Sequence, residues 1–196
     1  MADGGSTDRT LAVAVQGAVL AMGARGRGQQ LALGARHCAD ARWLLFIHAD
    51  NKLPDNWRES AARHMTRHSK SAGYFRYRAN AKGFWPRFMD FWVGMRCQWW
   101  GLPYGDQGLL ISKAMYEEVG GYPAQSLFED VALIDIIKTK LGRTMLRPLK
   151  GHMVIDVSKY EGEGIWVRGR QNLHLLKAYR KGADVETLVK RYREGQ

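Results

Sequence analysis

Acidic side chains recur where the apolar segments of this 196-residue chain end. They are Asp3, Asp50, Asp106 and the adjacent pair Glu129 and Asp130. In open α/β sheets, ligands bind outside the carboxyl ends of the strands. Carboxylates placed there can hold a hard divalent cation or accept a proton during a reaction. The pattern therefore predicts a ligand site built largely from carboxylates.

Asp50 is the candidate metal ligand. Trp43–Ile47 is a short apolar run that predicts a strand buried on both faces, and His48 and Asp50 follow at its carboxyl end. A cation held by Asp50 would neutralise the charge of a departing diphosphate. His48 is either a second ligand or a packed neighbour. Because Asp-Asn is a favoured turn pair, a plain loop start stays open as an alternative.

Asp130 is the candidate general base. A hydroxyl nucleophile has a very high pKa, so a displacement by such a hydroxyl needs a carboxylate to accept its proton as the bond forms. The alternative is structural, because Ser126-Leu-Phe-Glu129 fits a capping box and Asp130 would then be a first-turn residue favoured by the helix dipole. The spacing by itself favours this structural interpretation.

Two further features suit ligands but have ordinary explanations. Arg25–Gln30 predicts a flexible, glycine-spaced loop before a helix, and its two guanidinium groups suit phosphate oxygens. The loop lacks the Lys and the spacing of a P-loop, so it is equally explained as a solvated loop. The tryptophans of Trp85–Trp100 favour packing against a sheet, with Trp99 and Trp100 left to line the mouth of an acceptor site.

Alternating strand and helix patterns place these residues in an α/β fold. Strands are predicted at Trp43–Ile47, Tyr74–Arg78, Gly108–Ile111 and Met153–Val157. Helices are predicted at Trp57–Arg67, Phe84–Trp100, Lys113–Val119, Glu129–Leu141 and Trp166–Tyr179. A further helix from Thr10 has Ser6 or Thr7 as its predicted cap. No repeat or linker divides the chain, so one domain is expected.

Charge and cysteine content narrow the partners and the compartment. The chain has 30 Lys and Arg against 19 Asp and Glu, and 14 basic against 6 acidic side chains lie from Ile136 onward. Such a field attracts phosphates on nucleotides, lipids or nucleic acids. Cys38 and Cys97 cannot form a disulfide framework, and no signal peptide or membrane span is visible. We therefore expect a cytoplasmic protein, with peripheral contact to the inner membrane face as its one route to a membrane.

Five short motifs, in order, resemble family 2 glycosyltransferases of the GT-A type. They are Asp3-Gly-Gly-Ser-Thr-Asp8, His48-Ala-Asp50 after its strand, Leu102-Pro-Tyr-Gly-Asp-Gln-Gly108, Val119-Gly-Gly-Tyr122 and Phe128-Glu-Asp-Val131. The chain is most similar to a small bacterial subgroup of arsenosugar-biosynthesis or radical-SAM-associated glycosyltransferases. The resemblance implies a mostly parallel central sheet flanked by helices. It also implies a Rossmann-like donor-binding half over 1–52, an acceptor and catalytic half over 53–157, and basic C-terminal helices over 158–196.

The resemblance implies a hexosyltransferase-like enzyme that moves a sugar, with inversion, from a nucleotide-sugar donor to a small-molecule or lipid-linked acceptor. The implied donor residues are Asp3, Arg27, Gln30 and Asp50, and the implied ligands of Mg²⁺ or Mn²⁺ are Asp50 and His48. The sugar and acceptor residues are Gly105, Asp106, Gln107 and Trp100, and the catalytic residues are Asp130 with Glu129 beside it. Nucleic acid is not expected as a partner.

The sequence departs from the family pattern in three ways. His48 stands where many members have the first Asp of an Asp-x-Asp pair, and Ala32 stands where Asn is common. The family also begins with a strand and helix ahead of the segment that contains Asp3. A sheet without that central strand would expose backbone groups, which predicts low stability or a homodimer that covers the exposed edge.

Two other functions stay open. The first is a non-catalytic remnant of the same fold, which would bind nucleotide without transferring sugar. The second is a basic binder of nucleic acid or anionic membranes, which leaves the ordered carboxylate motifs unexplained. The basic helix from Trp166 either lies near a lipid-linked or phosphorylated acceptor or is simply a solvated face.

Overall fold

The computed structural model describes residues 1–157 and 165–194. Its strands are β1 (Ala2–Asp3), β2 (Ala21–Met22), β3 (Trp43–Phe46), β4 (Asn51–Lys52), β5 (Ala72–Ala79), β6 (Leu109–Ser112) and β7 (Leu146–Ile155). Its helices are α1 (Thr10–Ala14), α2 (Arg27–His37), α3 (Trp57–Arg67), α4 (Phe84–Trp100), α5 (Lys113–Val119), α6 (Glu129–Leu141), α7 (Ile165–Arg180) and α8 (Val185–Glu194). Short 3-10 turns lie at Gly105–Gln107 and Arg143–Met145.

The strands form two sheets. The larger sheet has the order β3-β6-β5-β7-β4, and β1 pairs with β2 in a separate, parallel sheet. Within the larger sheet β5 and β7 are parallel, whereas β3 with β6, β5 with β6, and β4 with β7 are antiparallel. The α/β class is confirmed, but the sheet is mixed rather than mostly parallel. The reason is that β6 runs opposite to both of its neighbours, so one reversed strand creates two antiparallel contacts.

Helix α2 joins the two sheets. A methyl group at Gly34 would touch the side chain of Ala2 in β1 at 3.7 Å. The next residue, Ala35, is buried in the same apolar cluster as Leu44 of β3. Among the described residues no strand pairs with the second edge of β1 or of β3. Whether a second copy of the chain covers these edges stays a prediction.

Apolar clusters cover both faces of the larger sheet. Tyr74 and Phe75 are adjacent in β5 and enter different clusters, as the alternation of side chains along a strand requires. The Tyr74 cluster includes Val131, Ile134 and Ile137, which follow the three- to four-residue spacing of one face of α6. The Phe75 cluster includes residues of β7 and Ala61 of α3.

Three features of the elements differ clearly from the sequence-based predictions, whereas several strand ends differ by only one or two residues. The amide of Thr10 donates to Asp8 Oδ1 at 2.9 Å, so Asp8 rather than Ser6 or Thr7 binds the start of α1. Helix α2 already begins at Arg27, so most of the predicted loop Arg25–Gln30 is helical. Strand β7 is longer than predicted because Pro148 and Gly151 interrupt its apolar pattern without ending it.

No helix among the described residues combines the length and the apolar character of a membrane span.

Candidate active site

Asp3 organises the loop that follows β1. Its Oδ1 accepts the amides of Gly5 and Ser6 at 2.8 Å each, and its Oδ2 accepts Ser6 Oγ at 2.7 Å. The Asp3 side chain is buried. The hydrogen bonds from Ser6 lower the pKa of Asp3, and the hydrogen bond from Gly5 lowers it to a smaller extent. The structure therefore places this predicted donor residue where its carboxylate holds the loop. Direct contact of Asp3 with a donor stays a prediction.

A cavity of about 380 Å³ opens beside this loop. It is lined by Gly4, Gly5, Ser6, Thr7, Asp8, Arg25, Gly26 and Gln30. The loop and α2 approach closely, since a Cβ at Gly4 would lie 2.8 Å from Gln30 Nε2. The cavity has the size of a small-molecule pocket, for which about 300–1,000 Å³ is usual. A larger cavity lies between α7 and α8, and none of the predicted site residues is among the residues that line it.

Arg27, another predicted donor residue, connects α2 to the start of α6. Its Nε lies 3.2 Å from Glu129 Oε1, and neither oxygen of the Glu129 carboxylate accepts a hydrogen bond within the described residues. Glu129 is fully buried, and this desolvation raises its pKa to about 7. The charge of Arg27 opposes the rise, and the charge of Asp130 adds to it.

The capping box proposed for Ser126–Glu129 is absent. Phe128 occupies the cap position without a side-chain hydrogen bond, and Glu129 packs inward against Arg27. Phe128 has a φ of 59°, which is uncommon for a bulky side chain, and its ring packs 5.0 Å from that of Tyr179. This backbone turn sets the direction in which Glu129 and Asp130 enter the helix.

Asp130 contacts the loop that contains Gly105, which is distant in sequence. Its Oδ2 accepts the amide of Gly105 at 2.6 Å, and its Oδ1 accepts the amide of Val131 at 2.8 Å. Gly105 leaves no space for a side chain, because a Cβ there would lie 2.8 Å from His48 Nε2 and 3.3 Å from Asp130 Cβ. The structure thus brings the predicted residues His48, Gly105 and Asp130 together.

Asp106 completes this cluster. The side-chain amide of Asn51 donates to the main-chain oxygen of Asp106 at 2.7 Å. Asp106 Oδ1 and Asn51 Oδ1 are buried and have no hydrogen-bond partner within residues 1–157 and 165–194. Burial raises the pKa of Asp106, Arg96 and His48 oppose the rise, and Asp130 and Asp50 add to it. Unpartnered buried oxygens are uncommon, so this cluster suits a ligand that brings positive charge or hydrogen-bond donors.

Asp50 is exposed in the loop after β3, and its charge acts on Asp106. Among the described residues no three His, Cys, Asp or Glu side chains are assembled as a metal site. Mg²⁺ is commonly held by one or two carboxylates together with substrate phosphates, so a site of this kind needs fewer protein ligands. The hard oxygens of Asp50, Asp106 and Asn51 fit that chemistry.

Gln107 and Arg96 stabilise the loop that contains Gly105 by hydrogen bonds. Gln107 Oε1 accepts the amide of Tyr104 at 3.2 Å and Arg96 Nη2 at 3.1 Å, and its Nε2 donates to the oxygen of Phe75 at 3.0 Å. Gln107 is only 1% exposed, so its side chain is engaged in these internal hydrogen bonds, and its place in the sugar and acceptor site stays a prediction. The guanidinium carbon of Arg96 lies 3.4 Å from the centroid of the Tyr104 ring.

Trp100, the last predicted acceptor residue, lies at the end of α4 and is 51% exposed. Its ring centroid is 6.2 Å from that of Trp99 and 6.3 Å from that of Trp92. Gly101 follows with a φ of 55° and turns the chain into the loop that contains Gly105. Trp100 is therefore placed next to the site loop in sequence, on an outer aromatic surface.

Sequence reasoning missed Asn51 and Arg96. Asn51 had a faint signal, because it directly follows the candidate ligand Asp50 and carries a hard oxygen. Arg96 stands out in the sequence as a cation within an aromatic, apolar helix, a place where a charge needs a specific partner. Neither residue belongs to one of the five motifs.

The chain and its fold resemble known proteins. Residues 1–128 match the model of glycosyl transferase family 2, and no curated protein matches the sequence. The fold is similar to mannosyltransferase PcManGT from Pyrobaculum calidifontis in complex with GDP-Man and Mn²⁺, with 21% identity, a TM-score of 0.62, and coverage of 99% of this chain and 58% of that one.

Two further solved structures are similar. One is glucosyl-3-phosphoglycerate synthase from Mycobacterium tuberculosis in complex with Mn²⁺, UDP-glucose and phosphoglyceric acid, with 14% identity, a TM-score of 0.57, and coverage of 79% of this chain and 57% of that one. The other is S. aureus TarS 1–349 in complex with UDP-GlcNAc, with 15% identity, a TM-score of 0.57, and coverage of 79% and 48%. This chain thus spans only about half of each structure's length, and the likeness confirms the GT-A type of fold. Since the family model matches well over half of the sequence, the chain belongs to glycosyl transferase family 2.

Proposed function

We propose that this protein transfers a sugar from a nucleotide-sugar donor to an acceptor hydroxyl, with inversion at the anomeric carbon. The observation that carries the proposal is the contact of Asp130 with Gly105, beside His48 and Asp106. Family membership supports the donor class, and the similar structures hold UDP-glucose, UDP-GlcNAc or GDP-Man.

Asp130 is the proposed general base. The acceptor oxygen forms a bond to the anomeric carbon and gives its proton to the Asp130 carboxylate. The bond between the anomeric carbon and the diphosphate oxygen breaks, and the nucleoside diphosphate leaves with that electron pair. The Gly105 amide, 2.6 Å from Asp130 Oδ2, holds the carboxylate in one orientation. A positioned base of this kind typically contributes about 10²- to 10⁴-fold to the rate.

Asp50 is the proposed ligand of a divalent cation, with Asp106, Asn51 and His48 close to it in the cluster. A bound Mg²⁺ or Mn²⁺ would neutralise the charge that develops on the leaving diphosphate. The protein's own part is to supply hard oxygens and to leave coordination positions for phosphate. The two unpartnered oxygens of Asp106 and Asn51 support this assignment.

The 380 Å³ cavity is the proposed nucleotide side of the site. The Arg25 guanidinium in its wall suits phosphate or ribose oxygens, and Gln30 also lies in its wall. Arg27 is bound to Glu129, the neighbour of the proposed base, so its proposed contribution to donor binding runs through that ion pair. The hexosyltransferase type, the arsenosugar subgroup and a cytoplasmic location stay predictions from the sequence.

Calorimetric titration tests the donor site. UDP, GDP and their sugar conjugates are titrated into the wild-type chain, Asp50→Ala and Asp55→Ala, each with and without Mn²⁺. Asp55 is an exposed carboxylate just after the site loop and serves as the matched control. We expect metal-dependent binding that falls at least about tenfold in Asp50→Ala and persists in Asp55→Ala. A folded wild-type chain that binds no nucleotide would overturn the proposal and favour a non-catalytic remnant.

A further inference from the structure

Helix α4 has a large aromatic surface that the described chain leaves uncovered. One side of the helix buries Pro86, Val93 and Cys97. Seven further side chains of the helix, all aromatic, are between 38% and 70% exposed. We call them the aromatic face of α4, and they are Phe84, Trp85, Phe88, Phe91, Trp92, Trp99 and Trp100. A helix that is apolar on all sides is normally buried on all sides, so this face is suited to a second apolar environment.

The exposed rings form connected groups along the helix. Phe84, Phe88 and Phe91 follow the three- to four-residue spacing that places side chains on one side of a helix. The centroids of Phe84 and Phe88 are 6.3 Å apart, and those of Trp92 and Trp100 are also 6.3 Å apart. Contiguous exposed apolar surface of this kind marks an interaction site rather than scattered surface residues.

The charges around the aromatic face are positive. Asp90, the acidic residue of α4, is held by Arg87 at 2.6 Å and by Arg78 at 3.6 Å, so it presents no free negative charge. Lys82 is exposed just before the helix, and Arg143 donates to the main-chain oxygens of Gln98 and Trp99 at its other end. Cations at both ends of an aromatic helix are typical of helices that lie at a membrane surface.

We propose that the aromatic face of α4 docks on the surface of a phospholipid bilayer that contains anionic lipids. Phe and Trp rings lose apolar exposure at the level of the headgroups, while the flanking cations and the net charge of +11 are attracted to lipid phosphates. Because Trp100 leads directly through Gly101 to Gly105, docking brings the acceptor side of the site toward the membrane. The docking does not depend on the proposed sugar transfer.

Vesicle sedimentation tests this proposal. Phosphatidylcholine vesicles are compared with vesicles that also contain phosphatidylglycerol, and we expect the chain to bind the anionic vesicles more tightly and to release at high salt. The double variant Phe84→Ser, Phe91→Ser should lower the partition coefficient at least about tenfold. The matched control is Val13→Ser, Val15→Ser, which replaces side chains that are 62% and 61% exposed, one on α1 and one directly after it, and it should bind like the wild type.

A charge variant provides a second measurement. Lys82→Glu should weaken binding to anionic vesicles about fivefold or more. Lys70→Glu serves as its control, because Lys70 is an exposed lysine in the turn between α3 and β5. Circular dichroism verifies that each variant is folded. Equal partitioning of the Phe84, Phe91 variant and its control would overturn the proposal. So would a dimer in analytical ultracentrifugation that this variant dissociates, because a second copy would then cover the face.

Nucleotide titration separates this result from the proposed function. Wild-type chain that binds nucleotide but no vesicles would overturn membrane docking and leave the sugar transfer intact. Vesicle binding that depends on the aromatic face, in a chain that binds no nucleotide, would support docking alone.

Discussion

The acidic residues on the two sides of α2 have opposite surroundings. On one side, Asp3 accepts three hydrogen bonds from Gly5 and Ser6, and its pKa is lowered. On the other side, Glu129 accepts none within the described residues, and burial raises its pKa to about 7. Asp106 resembles Glu129, since its Oδ1 is buried without a partner and its pKa is raised.

The difference distinguishes a carboxylate with a structural role from carboxylates that are suited to chemistry. A carboxylate whose oxygens are satisfied by nearby amides stabilises its loop. Buried carboxylates that lack such partners cost free energy, and shifted pKa values of this kind cluster at functional sites. By this criterion Glu129 and Asp106 are the carboxylates left for chemistry, and the Asp3 loop is the better candidate for a rigid wall of the donor cavity. Asp130 accepts the amides of Gly105 and Val131, so its proposed role as base rests on its position beside Asp106 and His48.

Of the variants that test this difference, Asp130→Asn should have the largest effect, and the effect is on the rate of transfer. An amide cannot accept the acceptor proton, so transfer should fall by about 10²- to 10⁴-fold while the fold persists. The loss of transfer is measured as the release of nucleoside diphosphate from UDP- and GDP-sugars in the presence of a panel of acceptors. Asp135→Asn is the control on the same helix, since Asp135 pairs with Lys138 at the surface. Equal activity of the two variants would remove Asp130 from the role of base.

Gly28→Ala tests whether α2 couples the two regions. A Cβ at Gly28 would lie 2.2 Å from the oxygen of Pro123 and 2.7 Å from that of Gln125, and these are backbone atoms. We expect a loss of about 3 kcal/mol in the free energy of unfolding, measured by urea denaturation. Gly34→Ala, where the methyl group meets only Ala2 at 3.7 Å, should be neutral or slightly stabilising. A harmless Gly28→Ala would show that the contact can relax.

Glu129→Gln tests the cost of the buried carboxyl. Its pKa is about 7 in the folded chain against an ordinary value of 4.5, so the folded state holds a proton that the unfolded state releases. The wild type should therefore lose stability as the pH rises from 5 to 8, and the variant should lose on the order of 2 kcal/mol less. Urea unfolding across this pH range measures the difference, with the exposed Glu117→Gln as control. Parallel curves for all three proteins would contradict the raised pKa.

Asp3→Ala should have the smallest effect. Removing the acceptor frees the amides of Gly5 and Ser6, so their hydrogen exchange should become faster while the rest of the chain is unchanged. Asp8→Ala is the matched variant, because it frees the amide of Thr10 instead. Unchanged exchange at Gly5 and Ser6 would show that the loop does not depend on Asp3.

Much of the fold followed from local pattern. Helices α3, α4, α5 and α6 begin and end at the predicted residues, because clear stop signals and periodic apolar residues mark them. A helix was predicted after Arg25–Gln30, but the first turn of α2 was missed, since this segment has the composition of a loop and the turn is supported by contacts with distant residues such as Gln125. Strand β7 was predicted too short because Pro148 is tolerated where β7 pairs with β5.

The candidate site, like the fold, could be predicted only in part from the sequence. Residue types and order indicated Asp50, Asp106, Glu129 and Asp130, because metal and proton chemistry require carboxylates. Contacts between segments far apart in sequence determined that Gln107 is buried, that Arg27 pairs with Glu129, and that Asn51 lies against Asp106. Spacing along a chain carries no information on these pairings.

By itself, the sequence determined the chemical inventory of this protein, its α/β class and its family, because these depend on residue type and local periodicity. Only the tertiary structure decided which carboxylate oxygens accept hydrogen bonds and which accept none, because desolvation and hydrogen bonding depend on what packs around each group. The same holds for α4: its aromatic composition is visible in the sequence, but which rings stay exposed depends on the sheet against which the helix packs.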